Sequence, residues 1–188
     1  DLGALTGLAV AAEDAGIDQL WVSNDLMMRS APALLGALFT KTSRLHLGIG
    51  IMNPYSVHPA ELAMTAATLQ EMSGGRFLLG LGAGSAEFLN WIGIPQDKPL
   101  TDTRAALRAV RALIEGARPE DVAGTGPGWT RDAYLRLPAT KVPIYIGAMS
   151  PRMLAFAGAE ADGVLALLFP PEHYTTASEL VAAGAAEA

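Results

Sequence analysis

Short apolar runs alternate strictly with longer amphipathic ones, and this constrains the chain more than any other feature. Leu2 to Ala15 sets Leu5, Leu8, Ala9 and Ala12 at helical spacing and stops at Gly16. Ile17 to Ser23 is short and rich in strand formers, and Pro32 to Thr42 returns to helix with Leu34, Leu35, Leu38 and Phe39 on one side. Arg44 to Ile51 alternates: Leu45, Leu47, Ile49 and Ile51 share one face, while His46, Gly48 and Gly50 take the other. Glycines in a strand leave room for close approach to the backbone. Pro59 to Met72 reads as a helix with proline in its first turn, and Gly74-Gly75 breaks it. Arg76 to Leu81 is a strand buried on both faces. Thr101 to Glu115 is the clearest helix, with Leu107, Val110, Leu113 and Ile114 in phase. After an excursion at residues 117–141 come a strand (Val142 to Ile146), a helix opened by Ser150-Pro151 and running to about Ala159, a strand (Gly163 to Leu168) and a last helix beyond Pro170-Pro171.

Helix and strand in strict turn imply a parallel sheet with right-handed crossovers. Two architectures satisfy this: an open doubly wound sheet and an eight-stranded barrel. Barrels need at least ~200 residues, so 188 residues favour the open sheet. The ends favour a partial barrel: Asp1-Leu2-Gly3 enters a helix without an initiator Met, Ser178 to Ala188 closes in helix-like alanines, and both read as cut from something longer. Either way the expectation is a single α/β domain over 1–188.

With 51% hydrophobic and 17% charged residues, the chain has material for a core and too little charge for disorder. Thirteen Lys+Arg against nineteen Asp+Glu give a net charge of −6 without a basic block, which argues against a nucleic-acid partner. No apolar run approaches the ~18 residues of a membrane span and no signal pattern opens the chain, so no membrane association and a cytoplasmic location are expected. The absence of cysteine removes thiolate metal sites, disulfides and a cysteine nucleophile.

In either architecture the chemistry belongs beyond the carboxyl ends of the strands. That rule selects Ser23-Asn24-Asp25, Met52-Asn53-Pro54-Tyr55, Gly82-Ala83-Gly84-Ser85, Gly147-Ala148-Met149-Ser150 and Phe169-Pro170. Gly80 to Ser85 falls short of a dinucleotide fingerprint, because Ser85 stands where the third glycine belongs, and no P-loop pattern occurs. The run fits a crowded barrel corner or the close approach of a flat or phosphorylated ligand. Gly147 to Pro151 leads from a strand straight into a helix N-terminus, where free N–H groups attract an anion and Arg152 adds a cation; it also fits plain capping. Asp25 at a strand end can serve as general acid or base, or cap a turn. His58, before Pro59, is as compatible with structure as with catalysis. Three scattered histidines form no metal constellation, and no G-x-S-x-G elbow supports acyl transfer.

Several segments in order resemble one family. These are Leu20 to Asp25; Leu47-Gly48-Ile49-Gly50-Ile51-Met52-Asn53-Pro54-Tyr55-Ser56-Val57-His58-Pro59-Ala60; Ala67 to Phe77; Gly80 to Gly84; Pro143 to Pro151; and Ala161-Asp162-Gly163-Val164. Together they resemble the luciferase-like flavin and deazaflavin oxidoreductases, and Asn53-Pro54-Tyr55 and Gly147 to Pro151 are most similar to the methylenetetrahydromethanopterin reductase-like branch, which uses the deazaflavin coenzyme F-420. The resemblance implies a (β/α)8 barrel of which about five strands are present, the first and the last two lacking matches here. It implies a hydride-transferring oxidoreductase using coenzyme F-420 on a small-molecule substrate, with an FMN-dependent monooxygenase as the close variant, and a homodimer. A non-catalytic flavin- or partner-binding module is the second reading.

Position by position, the resemblance sets the coenzyme ring against a bulged strand end with a cis peptide, here Gly50–Ile51. Asn53 falls at the ring's polar edge and Asn24 beside the coenzyme. Gly82, Ala83, Gly84 and Ser85 line the coenzyme's side chain, and Gly147, Ala148, Met149 and Ser150 donate backbone N–H groups. Where many deazaflavin-using members carry Asp-His, this chain carries Asn24-Asp25, which makes Asp25 the candidate for proton transfer. The excursion, with Trp129 and Tyr134, is expected to cover the substrate.

Overall fold

The computed structural model describes residues 1–137, 140–167 and 169–188. Its elements run α1 (Leu2–Asp14), β1 (Gln19–Ser23), α2 (Ala31–Phe39), β2 (His46–Met52), α3 (Pro59–Ser73), β3 (Phe77–Leu81), α4 (Ala86–Trp91), α5 (Pro99–Ile114), a 3-10 turn (Pro119–Asp121), β4 (Ile144–Gly147), α6 (Pro151–Glu160), β5 (Gly163–Leu165) and α7 (His173–Ala186). Every helix and strand expected from the periodicity is present. The last strand is shorter than expected, ending at Leu165, and Leu168 lies outside the described residues.

Helix starts follow local chemistry. The Asp1 carboxylate accepts from the Ala4 N–H at 2.8 Å, and α2, α3, α5 and α6 each carry proline in the first turn. Gly74 ends α3 in the left-handed region at φ 64°.

The described strands form one parallel sheet in the order β1-β2-β3-β4-β5. One face carries Leu47, Ile49, Phe77, Leu79, Leu81, Ile144 and Ile146, all fully buried in the cluster shared with the helices. Burying a side chain of this size contributes about 1.5–3 kcal/mol. The other face carries Trp21, Gly48, Leu78, Gly80, Tyr145 and Gly163. Here Trp21 on β1 meets Tyr145 on β4 edge-on, ring centroids 5.0 Å apart. On a flat sheet three strand spacings would separate those strands by about 14 Å. The contact therefore requires a sheet strongly curled toward the Trp21 side, a barrel segment and not an open doubly wound sheet. Glycine makes the curl possible: a side chain at Gly48 would collide with the Trp21 ring, and one at Gly163 with the Tyr145 ring.

At the amino ends of the strands, side chains tie one element to the next. The Glu13 carboxylate accepts from the Ser43, Arg44 and Leu45 N–H groups at 2.7–3.0 Å. Buried Gln70 donates to the Lys141 carbonyl and accepts from the Phe77 N–H. Arg76 donates to the carbonyls of Thr42, Leu45 and Ser73. Asp162 accepts from the Ile144 N–H and pairs with Arg111 and Lys141. Its burial raises its pKa, but these partners outweigh that and hold it below the usual carboxylate range.

The described part of the excursion lies against α5 and the start of α3. After α5 it turns back along that helix: Gly124 packs on Arg108, Gly126 on Ala105, and Trp129 lies 5.2 Å from the His58 ring. Tyr134 lies between the guanidinium groups of Arg118 and Arg136, each 5.1 Å from its ring. The described part is a strap along the helical exterior, and Trp129 reaches His58 at the start of α3. Pro138 and Ala139, also in the expected excursion, lie outside the described residues.

Candidate functional site

Parallel order places the ends of β1 to β5 along one rim, and the sequence-selected segments follow those ends. Ser23 pairs with Gly50, so Asn24 and Asp25 follow β1 beside the Gly50–Ile51 peptide, which is cis. Between β2 and β3 the register passes from Ile49↔Leu79 to Met52↔Leu81, so Gly50 and Ile51 together oppose Gly80. Such a bulge resets the alternation of side chains. Ile51 was expected on the face of Leu47 and Ile49; instead its side chain lies on the glycine face, against Gly80, Gly82 and Gly147. The periodicity of β2 fails at that residue because the pairing slips there.

Asn53 is 8% exposed, and its Oδ1 accepts from the Tyr55 N–H, the Ser56 N–H and the Ser56 hydroxyl at 2.9–3.1 Å. That leaves the amide Nδ2 as its group for a ligand, and Nδ2 lies against Gly84: a methyl carbon built on Gly84 would be 3.2 Å from it. The loop is tied at its far side by the Tyr55 hydroxyl, which donates to Asp102 at 2.6 Å. Burial, then the bond to Asp102, pushes Tyr55 well above the usual phenol range.

Gln96, missed by the sequence reading, braces the neighbouring loop. Its Nε2 donates to the carbonyls of Ala83 (2.7 Å) and Gly84 (3.2 Å). In a trans peptide the N–H points opposite the C=O, so the N–H groups of Gly84 and Ser85 face away from Gln96. The Gly82 N–H donates to the Met52 carbonyl. The Ser85 hydroxyl caps α4, a helix that six residues are too few to reveal by periodicity. Nothing in the local pattern around Gln96 marks it as a brace, because its partners are backbone atoms thirteen and twelve residues away.

Gly147 to Ser150 were expected to offer N–H groups together, and the structure corrects this for Ala148, whose N–H donates to the Leu165 carbonyl at 3.1 Å. The Ser150 hydroxyl caps α6 through the Met153 N–H, and the Met149 side chain is exposed. Beyond β1, the Asn24 Oδ1 accepts from the Ala31 N–H and fixes the start of α2, while exposed Asp25 accepts from the Ser23 hydroxyl at 2.6 Å. His58 is a cap: its Nδ1 accepts from the Ala60 N–H at 3.2 Å. Ile51, Asn53, Gly82, Gly84 and Gly147 are thus gathered at one mouth, with Asn24 and Asp25 at its β1 edge. Among the described residues no group of three or more His, Asp or Glu side chains is placed to hold a metal ion.

All of residues 1–188 match the luciferase-like monooxygenase family, and the chain belongs to it. It is 38% identical over 178 residues to the 5,10-methylenetetrahydromethanopterin reductase of Archaeoglobus fulgidus, covering 94% of this chain and 53% of that protein. To the F-420-dependent glucose-6-phosphate dehydrogenase of Nakamurella multipartita it is 37% identical over 175 residues, 86% of this chain and 51% of the relative. The solved coenzyme F-420-dependent tetrahydromethanopterin reductase of Methanopyrus kandleri superimposes with a TM-score of 0.90 at 29% identity, covering 100% of this chain and 58% of the other. The chain spans about half the length of the curated relatives it matches.

Proposed function

We propose that this chain carries the coenzyme-holding part of an oxidoreductase that moves a hydride between coenzyme F-420 and a small organic substrate. The observation that carries this reading is the mouth itself: a bulged strand end turned onto a glycine-lined face, with Asn53 Nδ2 at its edge. Glycine at 80, 82 and 147 makes room for the Ile51 side chain, so that the bulged strand end can present its backbone to a flat ring. The names of the relatives supply the kind of ring, since reductases and dehydrogenases dependent on F-420 stand among them.

When bound, the deazaflavin supplies the hydride-carrying carbon. The chain's own residues then bind and orient. Gly50 and Ile51 would hold the ring, and Asn53, whose Oδ1 is engaged, would offer it the Nδ2 donor. The N–H groups of Gly84 and Ser85 and the amino end of α6 at Met149 and Ser150 suit the anionic side chain of the coenzyme. Asp25, at the β1 edge and accepting from the Ser23 hydroxyl at its Oδ2, is the side chain proposed to transfer the proton.

Anaerobic mixing of the chain with reduced coenzyme F-420 and a panel of small carbonyl and imine acceptors tests the proposal. Oxidation of the coenzyme that depends on chain and acceptor supports it. Turnover only with reduced FMN and oxygen would replace it with a monooxygenase.

A further inference from the structure

The side chain of Ile51 lies on the glycine face at the mouth, among Gly80 of β3, Gly82 just beyond it and Gly147 at the end of β4. A methyl carbon built on Gly80 would lie 3.1 Å from Ile51 Cγ2, one on Gly82 3.1 Å from Cδ1, and one on Gly147 3.2 Å from Cγ2. Ordinary carbon contacts lie at about 3.5–4.0 Å, so alanine at any of the three positions obliges Ile51 to give way by a few tenths of an ångström. A side chain at Gly80 would also strike the Ile49 carbonyl at the base of the bulge. No left-handed backbone explains these glycines, for none of the three has a positive φ. Nor are all three explained by close approach of a ligand to backbone N–H groups, since the Gly82 N–H is already bonded to Met52.

We propose that Gly80, Gly82 and Gly147 form a socket that seats Ile51, and that this seating fixes how far the bulged strand end stands into the mouth. The three glycines are positioning residues: they act on the coenzyme through Ile51 and the adjoining Met52-Asn53 segment. The inference deepens the proposed function and rests on it in so far as Ile51 meets the coenzyme. The socket itself rests on packing alone.

The geometry supplies a size-compensation test. Gly82→Ala meets Ile51 chiefly at Cδ1, and Ile51→Val removes that carbon, leaving Cγ1 at 3.5 Å. Coenzyme F-420 affinity is read by fluorescence titration and stability by urea unfolding, for wild type, Gly82→Ala, Ile51→Val and the double variant. A shift of a few tenths of an ångström in a ring-contacting segment predicts about a tenfold loss of affinity for Gly82→Ala. Ile51→Val lies in the segment proposed to meet the coenzyme and sets its own baseline; in its background Gly82→Ala costs less than about threefold. Unimpaired binding by Gly82→Ala overturns the proposal, and so does a tenfold loss from Gly82→Ala in the Ile51→Val background. If wild type binds no coenzyme, the functional reading fails, and the unfolding cycle decides the socket. A double variant more stable than the sum of the single effects supports it, and additivity overturns it.

Discussion

Replacing Gly158 with alanine asks how closely α6 and α7 pack, and two opposing effects set the answer. In an isolated helix the change stabilises by about 1 kcal/mol, because glycine is the poorer helix former. In the folded chain a methyl carbon on Gly158 would lie 3.0 Å from Val181 Cα and collide with the Val181 carbonyl. Backbone cannot turn aside as a long side chain can, so α7 must move outward by about 1–1.5 Å to restore ordinary contact. Gly184 packs in the same way on the Ala155 carbonyl, so outward movement loosens both ends of the crossing. Overpacking of this kind costs about 1–3 kcal/mol, and a collision with backbone on this scale belongs at the upper end, so after the helical gain a net loss of up to about 2 kcal/mol remains. Gly7→Ala is the control: it also lies in a helix, with nothing within 4 Å of the added carbon, and gains about 0.5–1 kcal/mol. In a domain of this size 1 kcal/mol moves Tm by about 2–4 °C, so thermal unfolding resolves the two signs. Gly158→Ala melting at or above wild type would refute the packing argument.

Other perturbations follow from the same contacts. Glu13 is held at about 2 against an ordinary 4.5, first by the Leu45 and Arg44 N–H groups. Its stabilisation is therefore complete above pH 4.5 and lost as pH falls toward 2. Glu13→Gln should be less stable than wild type at pH 7, and the gap should close across that window; a gap that persists to pH 2 would contradict the reading. Asn53→Ala removes three accepted bonds in a buried turn and should cost about 1–3 kcal/mol in urea unfolding. Asn53→Asp keeps those acceptors but loses the amide donor, so it should fold nearly as well as wild type and bind coenzyme more weakly. Arg108 pairs with Glu160 through two 2.7 Å contacts, but both side chains are partly exposed. Arg108→Ala should cost no more than about 1 kcal/mol, and less at high salt.

Local chemistry made much of the fold legible. Ser150-Pro151, Pro59 and Gly74 mark helix ends because capping and proline geometry act within a few residues. The alternation of elements implied a parallel sheet, yet it could not choose between barrel and open sheet. That choice lies in Trp21 reaching across Gly48 to Tyr145, a contact between residues 124 positions apart. Strand-end geometry pointed to the segments that line the mouth but not to their free atoms. Asn53 Oδ1, Asn24 Oδ1, the Gly82 N–H and the Ala148 N–H are all engaged within the protein. The turn of Ile51 onto the glycine face was hidden because it follows from pairing with β3, and strand periodicity alone assumes unbroken register.

The central claim is that this mouth takes a deazaflavin. Fluorescence titration of the chain with coenzyme F-420, and separately with FMN, tests it most directly. Saturable binding of F-420, weakened in Asn53→Asp, with FMN binding far more weakly, is the predicted result. Saturable binding of FMN alone would contradict it.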